Sequence, residues 1–98
     1  MHVISEKKLR EFWRDHPEAE ESLRAWHRVA EQAVWECFAD IREVYSHADQ
    51  VGGCTVFNIG GNKFRLVVIV FFKWRRVYIR HVMTHEEYNR GAWKEDCR

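Results

Sequence analysis

Between Cys54 and His85 the chain contains no aspartate or glutamate, although the same run carries Lys63, Arg65, Lys73, Arg75, Arg76 and Arg80, joined by His81 and His85. Without acids to neutralise them, these cations form a one-signed surface suited to a polyanion. Long apolar runs are missing too. None approaches the roughly 18 residues of a membrane span, and the opening MHVISEKK has no apolar signal-peptide stretch. A cytoplasmic protein with no membrane partner is therefore expected. Cysteine is scarce, odd in number and widely spaced. Cys37, Cys54 and Cys97 argue against a disulfide framework and read as small packing residues. His81 and His85 have the i, i+4 spacing of helical metal ligands, but in strand-like sequence they would stand about 13 Å apart. The Gly60-Gly61-Asn62 turn lacks the GxxxxGKS/T context of a nucleotide-binding loop. Neither a metal nor a cofactor is expected.

What is present is the composition of one folded unit. With 98 residues, 46% hydrophobic and 32% charged, the chain is long enough for a single core and is read as one domain, residues 1–98. Its net charge of +1 hides an asymmetry: residues 1–53 hold seven Lys/Arg against eleven Asp/Glu, and residues 54–98 hold nine against four. The two halves are expected to do different jobs.

The first half reads as helical. HVI suits a short strand, Ser5 stands where an N-cap would, and Leu9, Phe12 and Trp13 recur at helical spacing until Pro17 disfavours the α conformation at His16. A second amphipathic helix from about Glu18 carries Leu23, Trp26, Val29, Ala30, Ala33 and Val34 on its apolar stripe, and Phe38 to Tyr45 is either a short third helix or a loop that brings the chain to the sheet. The second half reads as sheet. After the Gly52-Gly53 break come Cys54–Ile59, a glycine hairpin, the nearly all-apolar Phe64–Phe72, a reversal at Lys73-Trp74-Arg75, and Val77–Thr84. EEYNRGAW then forms a helical turn. The predicted fold is α+β, with N-terminal helices on one face of a mainly antiparallel sheet of about four strands and the other face partly open.

Several residues on that open side are candidates for chemistry. Arg65 interrupts an apolar strand, and an unpaired guanidinium there is costly to desolvate. It is either a phosphate clamp or the partner of an N-terminal acid such as Glu11 or Asp40. His85 follows the last strand with Tyr88 three residues on, so a helical turn would put them on one face. Histidine passes protons near neutrality, and tyrosine can hydrogen-bond or stack. Arg80 and His81 alternate on the last strand, and only one of them faces a cleft if that strand is regular. The strand's twist or a bulge near Thr84 could bring His85 back toward the Arg80 side. Asn58 and Lys63 flank the glycine hairpin as possible RNA contacts, while Asn62 suits the turn itself. Lys73, Arg75 and Arg76, at the second hairpin, either contact phosphate or discourage edge pairing.

The segments VFNIGGNKFRLVVIVFF and YIRHVMTHEEY resemble the HigB branch of the RelE-like toxins, ribosome-dependent mRNA endonucleases of bacterial toxin-antitoxin pairs. The resemblance implies a RelE-like fold and cleavage by attack of the 2′-hydroxyl on the adjacent phosphate without a metal. It implies Arg65 as the phosphate-contacting arginine, Arg80 in place of His81 on the cleft side, and His85 and Tyr88 as the acid-base and tyrosine positions. It also implies mRNA in the ribosomal A site as substrate and a HigA-like helix-turn-helix antitoxin as partner, in a complex of higher oligomeric order. RelE itself has two lysines where this chain has Val56 and Asn58, so its lysine chemistry does not carry over, and the load falls on His85. Two other readings remain open: a non-catalytic RNA- or ribosome-binding module, and an interaction protein whose basic surface grips an acidic partner.

Overall fold

The apolar run Phe64–Phe71 forms β4, the middle of five strands in the order β1-β5-β4-β3-β2, in a computed structural model that describes residues 1–98. Strand β1 (His2–Ile4) runs parallel to β5 (Arg76–Thr84), while β2 (Asp49–Val51), β3 (Cys54–Ile59), β4 and β5 pair antiparallel in sequence. Before the sheet come α1 (Lys7–Asp15), a 3-10 turn (Pro17–Ala19), α2 (Glu20–Gln32) and α3 (Phe38–Val44). After it come α4 (His85–Arg90) and a C-terminal 3-10 segment (Ala92–Cys97). The α+β architecture agrees with the sequence expectation, with one strand more than the four anticipated. The addition, β2, is three residues long and pairs with the start of β3 across Gly52, too short and polar to show a period-2 pattern.

Alternation along the strands divides the sheet into two unlike faces. Phe57 and Ile59, Phe64, Leu66 and Val68, and Val77 and Ile79 meet Leu9, Leu23, Trp26 and Ala30 from α1 and α2 in the main core. Each such fully buried aliphatic side chain contributes about 1.5–3 kcal/mol. Phe57 is the hub, with its ring 5.5 Å from Trp26, 6.4 Å from Trp35 and 5.2 Å from Tyr45. Burial raises the Tyr45 hydroxyl pKa above its ordinary value. Two local expectations are corrected. Ser5 does not cap α1: the chain must turn sharply out of β1, so Ser5 takes a left-handed φ of 71° and Glu6 occupies the N-cap without a side-chain hydrogen bond. Val34 leaves the apolar stripe because α2 ends at Gln32 and Ala33 is extended, which turns Val34 outward at 65% exposure.

The opposite face is less open than expected. Cys54, Val56, Val67 and Met83 form a second, smaller core that Trp93 and Cys97 of the C-terminal segment cover. A disulfide joins Cys54 to Cys97, which corrects the expectation that all three cysteines are free; Cys37 alone is free and exposed. The 43-residue separation gives no hint of the pairing. It arises because the Ala92–Cys97 turn returns the chain to the start of β3. There the Gly53 N–H bonds to the Cys97 carbonyl, and a Cβ on Gly52 would stand 1.8 Å from that same oxygen. Only glycine permits this approach.

Candidate active site

The β3–β4 hairpin, β4 and α4 bring together the candidate residues of the basic face. Gly60 and Gly61 adopt positive φ of 62° and 71°, which folds the hairpin tightly enough to aim Asn62 back at the start of β4. Arg65, 7% exposed, uses this turn as its anchor. Its guanidinium donates to the Asn62 carbonyl at 3.2 Å, to the Phe64 carbonyl at 3.1 Å and to Asn62 Oδ1 at 2.7 Å. Neither Glu11 nor Asp40 pairs with it, and its acceptors are neutral oxygens. The charge is thus held in place by dipoles without being cancelled, which leaves it free to attract an anion.

Strand β5 ends at Thr84, which starts α4 with a capping box. Thr84 Oγ1 accepts the Glu87 N–H at 3.2 Å, and Glu87 Oε1 accepts the Thr84 N–H at 3.0 Å. The backbone hydrogen bond from Thr84 is the main cause that lowers the Glu87 carboxyl pKa below its usual range. This cap starts the helix at His85, and Tyr88 then lies one turn on, over the same face. The helix stops after six residues at Gly91 in a left-handed conformation.

His85 is fastened twice to the same hairpin. Its backbone N–H donates to the Lys63 carbonyl at 3.0 Å, and its Nδ1 lies 3.1 Å from the Asn62 carbonyl and 3.4 Å from the Arg65 guanidinium. The shorter contact is to an acceptor, and that arginine nitrogen already donates to Asn62 Oδ1. A proton on Nδ1 would satisfy the Asn62 carbonyl, the nearer of the two contacts. His85 Nε2 makes no hydrogen bond within the protein and in that tautomer presents a lone pair that can take a proton.

Tyr88 completes the cluster. Its ring stacks on Trp93 at 4.9 Å, and the Arg65 guanidinium sits 5.2 Å from its centroid. With the ring so engaged inside the protein, the hydroxyl, which has no internal partner, is the group left for a ligand. Asn62 was expected only to serve the turn, yet it holds both Arg65 and His85. Asn62 does lie in the turn, but without the positive φ expected of it, and only the folded hairpin reveals its second role.

The remaining candidates fall into two further groups. Asn58 pairs across the strands with Arg65 and stands exposed. With Ser46, His47 and Asn62 it lines a cleft of about 620 Å³ beside the hairpin, and exposed Lys63 lies in the same turn. Lys73, Arg75 and Arg76 lie at the opposite end of β4, about 20 Å along the strand from Arg65. Arg80 is not in contact with Arg65 either. A bulge opposite Val67 and Val68 makes Arg80 the extra residue on β5, so Arg80 and His81 both turn to the open face. Both meet Asp96 Oδ2, Arg80 at 3.5 Å and His81 at 2.7 Å. The His81 hydrogen bond is the chief reason that the Asp96 carboxyl pKa falls below its ordinary value. The expected bulge near Thr84 is absent, since pairing is regular from His81 to Thr84; the irregularity lies at Arg80 instead.

Helices on one side of a mainly antiparallel sheet, with basic residues gathered on the other, place the molecule in the class of small α+β proteins with RelE-like architecture. Residues 19–91 match the family described as HigB_toxin, RelE-like toxic component of a toxin-antitoxin system. The chain is 33% identical over 92 residues to the mRNA interferase toxin HigB of Escherichia coli (strain K12), which covers 91% of this chain and 88% of that protein. It is likewise 33% identical over 92 residues, with the same coverage, to the mRNA interferase HigB of Shigella flexneri. Another mRNA interferase HigB, from Escherichia coli O6:H1, is 25% identical over 93 residues, 92% of this chain and 90% of that protein. The chain belongs to the HigB family of toxins.

Proposed function

We propose that residues 1–98 form one toxin domain that acts in the cytoplasm as a ribosome-dependent mRNA endonuclease, restrained by a HigA-like helix-turn-helix antitoxin in a complex of higher order. The observation that carries the reading is the nearly buried Arg65, free of any carboxylate and held by the same asparagine that holds His85. With its donors spent on neutral oxygens, Arg65 has no carboxylate to compete with a phosphate for its charge.

In the proposed reaction, His85 Nε2 removes the 2′-hydroxyl proton and the 2′-oxygen attacks the adjacent phosphorus. Arg65 stabilises the phosphorane as negative charge grows on its oxygens. The bond to the 5′-oxygen breaks while the Tyr88 hydroxyl donates toward it, which leaves a 2′,3′-cyclic phosphate and a 5′-hydroxyl. Arg80 holds a neighbouring phosphate on the same sheet face, Asn58 and Lys63 contact the nucleotide beside the hairpin cleft, and Lys73, Arg75 and Arg76 contact phosphates farther along. Guanidinium groups supply the charge stabilisation, and the ribosomal A site supplies the substrate's geometry.

Cleavage in a translating extract tests the reading. The toxin should generate new mRNA 5′ ends inside the reading frame, carrying 5′-hydroxyls. RNA that is bound but left whole would favour a non-catalytic binding module, and an extract without effect on RNA would favour a protein that only grips an acidic partner.

A further inference from the structure

A second concentration of cations lies at the far end of the sheet from His85, and it has an aromatic floor that the cleavage reaction does not use. The β4–β5 hairpin leaves Trp74 at 64% and Phe71 at 44% exposure, although large rings of this kind are normally withdrawn from water. Lys73 Nζ sits 5.2 Å from the Trp74 ring centroid, and Tyr78 braces Phe71 edge-on at 5.4 Å. Both rings line a groove of about 330 Å³ together with Arg76 and Arg80. Arg80 Nε is buried without an acceptor, and its terminal nitrogen reaches Asp96 only at 3.5 Å. The Arg80 side chain is 41% exposed overall, so its terminal guanidinium nitrogens stay open to a ligand's acceptor.

We propose that this groove is a second RNA site, which takes a single-stranded segment with bases on Trp74 and Phe71 and phosphates on Arg76 and Arg80. Charge selects the class of ligand. Asp96 is the one carboxylate that reaches these cations, at 3.5 Å from Arg80, the run from Cys54 to His85 holds no acid, and flat exposed rings beside arginines match bases strung on a phosphate backbone. A duplex hides its base faces by stacking and fits the groove poorly. The hairpin stands about 20 Å along β4 from Arg65, so the strand bound here is not the cleaved nucleotide. The site rests on the proposed function, which already places phosphates on Arg76 and Arg80, and deepens it by adding a floor on which bases stack; it requires RNA binding and no chemistry.

The test measures binding of a short 2′-O-methyl single-stranded RNA, which cannot supply the nucleophile, to the full chain by fluorescence anisotropy. Trp74→Ala should weaken binding about tenfold with little change in salt dependence, because it removes stacking. Arg76→Gln should lower the salt slope by about one, because it removes a phosphate contact. The same sequence as a duplex should bind more weakly than the single strand. Phe71→Ser serves as an independent second variant, and circular dichroism confirms that each variant is folded. Unchanged single-strand affinity in folded Trp74→Ala and Phe71→Ser proteins would overturn the proposal. So would equal binding of duplex, or variants that keep RNA affinity but lose the coexpressed antitoxin, which would make the groove a protein-docking surface. Failure of the cleavage reading is distinguishable: the protein would then leave mRNA whole in the translating extract yet still bind the oligonucleotide through Trp74.

Discussion

Replacing Arg65 with alanine separates the structural and chemical roles of one side chain. The substitution removes donors to the Asn62 carbonyl, the Phe64 carbonyl and Asn62 Oδ1. Hydrogen bonds from a charged donor contribute about 1.5–3 kcal/mol each. The two Asn62 acceptors are only part-buried and recover part of that from water, whereas the Phe64 carbonyl is buried, so the net loss should be nearer one such bond, about 2–3 kcal/mol. That is tolerable for a domain with the usual 5–15 kcal/mol, and the variant should fold. Chemistry should suffer more. Loss of a preorganised donor to the developing charge lowers the rate by about 10² to 10³, and His85 also loses a neighbour that helps fix its ring. Arg65→Lys should fall between, since it keeps the charge but not the planar fork. Urea denaturation gives the stability, single-turnover cleavage on programmed ribosomes gives the rate, and growth after induction without antitoxin gives the phenotype. A folded Arg65→Ala protein that cuts mRNA at the wild-type rate and still halts growth would remove Arg65 from the active site.

Four other outcomes are expected. His85→Gln keeps hydrogen-bonding capacity but cannot titrate, so single-turnover cleavage should slow by about 10² to 10⁴ while ribosome binding, dominated by Lys and Arg contacts to phosphate, changes little. Thiol titration of oxidised protein in urea should find one reactive cysteine, Cys37; three would disprove the Cys54–Cys97 bridge. Reducing that bridge, which closes a 43-residue separation, should cost at most about 4 kcal/mol by loop-closure entropy, read as a lower urea midpoint. A reducing compartment would open the bridge, so oxidised and reduced protein should both be assayed. The Glu87 carboxyl is held below its ordinary value of 4.5. Its stabilising contribution is therefore full above that pH and fades as pH falls through the lowered value, and Glu87→Gln should flatten the acid side of a stability profile.

Charge and periodicity were enough, before any coordinates, to separate an acidic helical half from a basic sheet half and to mark Arg65 as anomalous. A period of 3.6 in α2 and apolar alternation or saturation in β3 to β5 are local signals, set by which side chains must leave water. The glycine hairpin and the His85–Tyr88 spacing are local in the same sense. What the tertiary structure decided depends on contacts between residues remote in sequence. Asn62 holds Arg65 within its own hairpin, but it reaches His85 only once β5 has returned alongside β4 and α4 has begun at Thr84. The bulge that turns both Arg80 and His81 outward is a property of pairing with Val67 and Val68, not of either strand alone. The C-terminal segment closes half of the open face because Gly52 and Gly53 admit the Cys97 carbonyl, a steric fit between chain positions that no local pattern encodes.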